Sequence, residues 1–194
     1  MNKREIQALE TKNKITEIAV DMILNSNFED ITINQICSKA NVSKGAFYHH
    51  FNSKSDIVVE IYNTQVLEYF DIEKEISKAT SIIDKIHRVI LSFNVLIHNC
   101  GFELVKQIII HQIQTDRKYY LSEGIFNFDR FSSLIKEGQD LGIIKDDLDS
   151  KDLALYIIKF SRGLLYDWCI YKGEYDFSKQ ASKDLNLLLE SIKK

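Results

Sequence analysis

Apolar residues recur three and four apart along most of the chain, the repeat of helices that bury one face. Ile15, Ile18, Ala19, Met22 and Ile23 form the first such stripe, and Asn25-Ser26-Asn27 ends it. Phe28 to Ile31 reads as a connector. Thr32, followed three residues later by Gln35, is a reciprocal capping box; it predicts a short helix that turns Ile36, Cys37 and Ala40 inward. Asn41 comes next, the best non-glycine residue for a left-handed turn. Ser43 then caps a third helix, from Lys44 to about His50. Ser53 or Ser55 caps a fourth, which the pattern carries through Ile57, Ile61, Tyr69 and Phe70 to about Lys78.

Further on, Ile82, Ile86, Ile90, Phe93 and Ile97 hold a helical stripe to about Asn99, and Gly101 to about Thr115 reads as another helix. Residues 116–125 are a polar connector. Asn127 opens a helix ending near Gly142, Asp149 or Ser150 caps a long one closed by Gly173, and Leu185, Leu188, Leu189 and Ile192 mark the last. The expected fold is all-α, with about nine helices.

Composition supports this reading. The 194 residues include only seven glycines and no proline, too little punctuation for a sandwich or barrel of many short strands. The three cysteines, Cys37, Cys100 and Cys169, show no CxxC spacing, so neither a disulfide framework nor a zinc ribbon is expected. The charged, polar start has no signal-peptide pattern, and no apolar run approaches the 18 or so residues that span a bilayer; a cytoplasmic protein without membrane partners is expected.

A net charge of −3 argues at first against nucleic acid as a partner. The average hides an asymmetry: residues 32–54 hold three lysines (Lys39, Lys44 and Lys54) and no carboxylate. This window coincides with the two short helices and their turn, the arrangement of a helix-turn-helix. A helix entering the major groove needs a polar leading end with small side chains, and Ser43-Lys44-Gly45-Ala46 meets that need. Phe47 and Phe51, four apart, face the core. Tyr48, His49 and His50 flank them and can offer O–H or N–H to phosphates, and Lys54 adds its charge at the next helix start.

The run from Ile31 to Lys54, above all VSKGAFYHHFNSK, resembles the DNA-binding domain of the tetracycline-repressor (TetR) family of transcriptional regulators. The resemblance implies a DNA-binding domain at 1–55 and an effector-binding and dimerisation domain at 56–194. It places Thr32 and Tyr48 at phosphates, Asn34 and Lys44 at base edges, Gly45 and Ala46 close to the bases, and His50 and Lys54 at the backbone. Asn41 stands where the family commonly has glycine, and the role of His49 is open. The implied partners are a double-stranded, near-palindromic DNA operator, a small-molecule effector of unknown identity, and a second copy of the chain.

No catalytic signature is present: GxSxG, HExxH, GxGxxG and P-loop patterns are all missing, so no enzyme and no cofactor is expected. His98, Cys100 and His111 do not share a helical spacing that converges on a metal. Phe93, Phe102, Phe128, Phe131 and Trp168 are candidates for a ligand pocket. Phe160, Gly163 and Leu164 on the penultimate helix, with Leu185, Leu188, Leu189 and Ile192 on the last, are candidates for the dimer seam. The alternative is a helical small-molecule-binding or protein-interaction module without sequence-specific DNA binding.

Overall fold

The computed structural model describes residues 2–64, 70–114 and 127–194. Over these residues the protein is all-α, and an isolated bridge between Ile144 and Lys193 is its one β-type pairing. The helices are α1 (Lys3–Asn25), α2 (Ile33–Ala40), α3 (Lys44–His50), α4 (Lys54–Tyr62) and α5 (Ile72–Ser77). They continue as α6 (Ile82–His98), α7 (Phe102–Gln114), α8 (Phe128–Asp140), α9 (Ser150–Ile170) and α10 (Phe177–Ser191). The connector read at 116–125 lies outside the described residues.

Ten helices are described where the pattern predicts about nine. The difference is a break in the fourth. The sequence carries one helix from Lys54 to Lys78, but Asp71 adopts an extended backbone (φ −113°, ψ 101°) and its side chain accepts the Lys74 N–H, starting α5 afresh. A carboxylate satisfies N–H groups that a helix start leaves open.

The chain divides into two compact units, residues 1–68 with 103–115, and residues 69–102 with 116–194. In the first, α1 packs on α2, α3 and α4, and α2 packs on α3. Ile15, Ala19, Ile36, Ala40, Phe47, Phe51, Ile57 and Ile61 form the core, none more than 3% exposed. The predicted capping box is present: Thr32 Oγ1 accepts the Gln35 N–H at 3.2 Å, and the Gln35 side chain accepts the Thr32 N–H at 2.8 Å. Asn41 ends α2 in the left-handed region at φ 50°, and the Val42 N–H closes back on the Cys37 carbonyl at 3.0 Å. Ser43 Oγ accepts the Ala46 N–H at 3.1 Å to start α3, and Ser53 caps α4.

In the second unit α6 is the hub, packed against α5, α8, α9 and α10, while α8 also lies on α9. Gly138 on α8 is set by close approach, because a Cβ there would fall 2.4 Å from the Ile144 side chain. The Gly138 carbonyl accepts the N–H groups of both Ile143 and Ile144 at 3.0 Å, folding the chain tightly after α8.

The leucine stripe of α10 is placed differently from the expected seam. Leu185, Leu188, Leu189 and Ile192 are at most 8% exposed in the single chain, because α10 lies on α6 and α9 and turns this face toward them. An exposed apolar face lies on α9: Tyr156, Gly163, Tyr166 and Ile170 share one side of the helix. Phe160 and Leu164 are half-buried at its margin. Among the described residues no single helix is long and apolar enough to cross a membrane.

Candidate nucleic-acid interface

Two phenylalanines anchor α3 and leave its other faces open. Phe47 is fully buried and Phe51 nearly so, their rings 5.7 Å apart. Ser43, Lys44, Gly45, Tyr48 and His49 are exposed, and Ala46 and His50 are half-buried. The start of α2 exposes Thr32 and Asn34. The residues singled out in this stretch therefore lie on or near the surface, while the apolar positions between them fill the core.

Gly45 has a specific significance. A Cβ built there meets nothing nearer than Ser43 Oγ at 3.7 Å, an ordinary contact. Glycine inside a helix costs about 1 kcal/mol relative to alanine. The protein's own packing does not require the missing side chain, which leaves the backbone open to close approach from outside.

Tyr48 is 54% exposed, with its ring set edge-on to Phe47 at 5.5 Å, so the hydroxyl end is carried on a fixed base. The rings of His49 and His50 lie 4.9 Å apart. Partial burial holds His50 below the ordinary histidine value, with the nearby charges of His49 and Lys12 acting in the same direction. Lys12, on α1, is ion-paired with Glu60 on α4. That pairing between helices was not visible in the sequence.

Lys54 is employed otherwise than expected. Its ammonium donates to the carbonyls of Phe28 and Ile31, the second at 2.9 Å, and stands over the Phe28 ring. These carbonyls flank the turn just before Thr32, so the lysine holds the entry to α2 within the protein. At the start of that turn the Phe28 N–H donates to Glu103 of α7 at 3.4 Å. The Glu103 carboxylate also pairs with Lys106 at 2.7 Å and accepts from Gln107.

The ligand-pocket candidates fall into separate settings. Phe102 and Trp168 meet edge-on at 5.8 Å, joined by His98 and Phe177, whose rings stack at 5.0 Å. His98 and Phe177 were not singled out for this cluster in the sequence, since they come from different helices and only the fold unites them. Phe93 meets Phe70 at 5.0 Å, and Phe128 and Phe131 are buried on α8. Among the described residues no group of three His, Cys, Asp or Glu side chains gathers that could hold a metal.

Comparison with known proteins agrees with this geometry. Residues 15–61 match the family model described as bacterial regulatory proteins, tetR family, and residues 64–191 match that of the YsiA-like protein, C-terminal region. The chain is 24% identical over 204 residues to the HTH-type transcriptional regulator AcrR of Shigella flexneri, covering 97% of this chain and 92% of that one. It is 22% identical to the fatty acid metabolism regulator protein of Bacillus subtilis, covering 92% and 94%. The fold is similar to that of the transcriptional regulator FadR from Bacillus subtilis, solved in complex with stearoyl-CoA, with a TM-score of 0.65, 21% identity and coverage of 92% and 98%. With an exposed helix-turn-helix and family matches that together span nearly its whole length, the chain belongs to the TetR family and is a DNA-binding transcriptional regulator.

Proposed function

We propose that this protein is a cytoplasmic, non-enzymatic repressor that binds a near-palindromic operator as a homodimer and releases it when a small molecule occupies its C-terminal region. In this reading residues 1–55 contact DNA and residues 56–194 bind the effector and hold the dimer. The observation that carries it is the leading end of α3: exposed, free of carboxylates, and containing a glycine that internal packing does not demand.

Lys44 and Asn34 are assigned to base edges, with Gly45 and Ala46 allowing close approach. Ser43, Thr32, Tyr48, His49 and His50 are assigned to the phosphate side, which fixes register rather than sequence. Two α3 helices related by a two-fold axis then require half-sites about 34–36 Å apart. The exposed α9 face of Tyr156, Gly163, Tyr166 and Ile170 supplies the seam, with Phe160 and Leu164 at its edge.

The effector acts by differential affinity: a hundredfold loss of DNA affinity requires about 2.7 kcal/mol of coupling. α7 suits transmission. It follows α6 directly in the chain, yet residues 103–115 belong to the compact unit of α1–α4, and Glu103 faces the turn that starts α2. The stearoyl-CoA held by the Bacillus subtilis relative supports a small amphipathic molecule as the effector.

A labelled-DNA binding assay on the intergenic regions beside the protein's own gene tests this reading. The wild type should select one fragment over competitor, and Lys44→Ala should cost about 1–3 kcal/mol on that fragment with little change on random DNA. Equal losses on both would make Lys44 a phosphate contact only, and no preferred fragment would refute the reading.

A further inference from the structure

Asn94 on α6 is only 1% exposed and Ser161 on α9 only 5%. The Ser161 hydroxyl donates to Asn94 Oδ1 at 2.9 Å, which directs the carboxamide oxygen at the serine and leaves the amide nitrogen pointing elsewhere. That nitrogen is buried and has no hydrogen-bond partner. One helical turn away on the same faces lie Ile90 and Ile97 on α6 and Ile157 and Leu165 on α9, all buried. A carboxamide thus sits with buried aliphatic residues one turn away along both helices, and both its amide protons are unspent. A buried donor without an acceptor is costly, and an apolar residue of similar volume avoids that cost.

We infer that the Asn94–Ser161 pair is the polar anchor of the effector site, and that it takes an apolar ligand carrying a carbonyl-type oxygen. Ser161 orients the carboxamide, Asn94 donates its N–H to the ligand oxygen, and the isoleucine and leucine positions face the hydrocarbon part. This inference rests on the proposed reading of the C-terminal region as an effector domain. It accounts for a buried asparagine whose amide protons meet no acceptor within the protein.

The test uses the full-length protein with two isosteric probes, 2-undecanone and 2-methyl-1-undecene, which differ only by C=O against C=CH2. Calorimetry should show the ketone binding about tenfold tighter than the alkene, the value of one buried hydrogen bond. Asn94→Leu should erase that preference and, without ligand, should raise the thermal midpoint, since it removes an unpaired donor. The double variant Asn94→Leu/Ser161→Ala covers the case in which the lone serine disturbs the fold, and it should behave in the same way.

Equal binding of the two probes to the wild type, or binding of neither, overturns the inference. So does an unchanged preference in Asn94→Leu, or a lower thermal midpoint in both variants, which would mark the amide as bridged by water in a structural role. The same preparations should be assayed for selective DNA binding. If that persists while the probes are indistinguishable, only the anchor fails; if it is missing from the wild type, the regulatory reading fails with it.

Discussion

The Lys54 ammonium stands 4.1 Å from the centre of the Phe28 ring while donating to that same residue's carbonyl. One side chain of α4 thereby holds both the ring and the backbone of the turn that leads into α2. Replacing it with methionine should lower unfolding free energy by about 1–2 kcal/mol, the worth of charge-assisted bonds at a half-exposed site with a cation–π contact. Urea unfolding measures this. The salt dependence of DNA affinity should keep its wild-type slope; a slope smaller by about one ion would return Lys54 to the phosphates.

Gly45→Ala separates the needs of the fold from those of the partner. The methyl group has room, so stability should rise by about 0.5–1 kcal/mol from helix propensity alone. Affinity for the selected DNA fragment should fall at least tenfold if the backbone of α3 approaches the bases. A stabilised variant with undiminished affinity removes that end of α3 from the interface.

His50 provides a pH dependence whose sign is fixed. Its value in the folded protein lies below the ordinary 6.5, so the unfolded chain takes up the proton first as pH falls. Above pH 6.5 the group makes no difference to stability; below it, stability should decline until the folded-state value is passed. DNA phosphate favours the charged ring, so affinity should rise over the same interval while stability falls. His50→Gln should flatten both trends, as followed by thermal melts and by titrations from pH 7.5 to 5.5. Trends that survive this substitution would assign the proton elsewhere.

The two apolar faces near the C-terminus should respond differently to charge. Ile170 is 59% exposed, so Ile170→Asp should leave the fold intact and yield a monomer by analytical ultracentrifugation if the α9 face is the seam. Leu188 is 8% exposed within its own chain, and Leu188→Asp should unfold the second unit, since burial of such a side chain contributes about 1.5–3 kcal/mol and a buried unpaired carboxylate adds a further penalty. A dimeric Ile170→Asp protein would place the seam on another surface.

Local chemistry was legible in the sequence. The Thr32–Gln35 box, the left-handed Asn41 and the Ser43 cap each depend on residues within a few positions, and each appears as read. What escaped depends on distant partners. Lys54 finds its acceptors 23 and 26 residues earlier, and nothing in a lysine's own neighbourhood specifies which oxygens will receive its protons. The break at Asp71 was hidden because Ile72 and Ile76 continue the apolar spacing across it. The α10 stripe is covered within its own chain, which periodicity does not specify: it shows that a face will be covered, not whether its own chain or a second copy covers it. For the residues proposed to face DNA, their identity was readable in the sequence, and the fold adds their exposure.

The grouping of residues 103–115 with the first four helices also bears on how the protein could be cut apart. A fragment ending at Tyr62 would contain every residue assigned to DNA yet lack a member of the body that supports them, including the carboxylate opposite Phe28. The amides of α7 should accordingly exchange with solvent at the pace of α1 and α4 rather than at that of α6, its immediate predecessor in the chain. Grafting the DNA reader onto another protein would therefore require carrying a segment encoded some forty residues downstream.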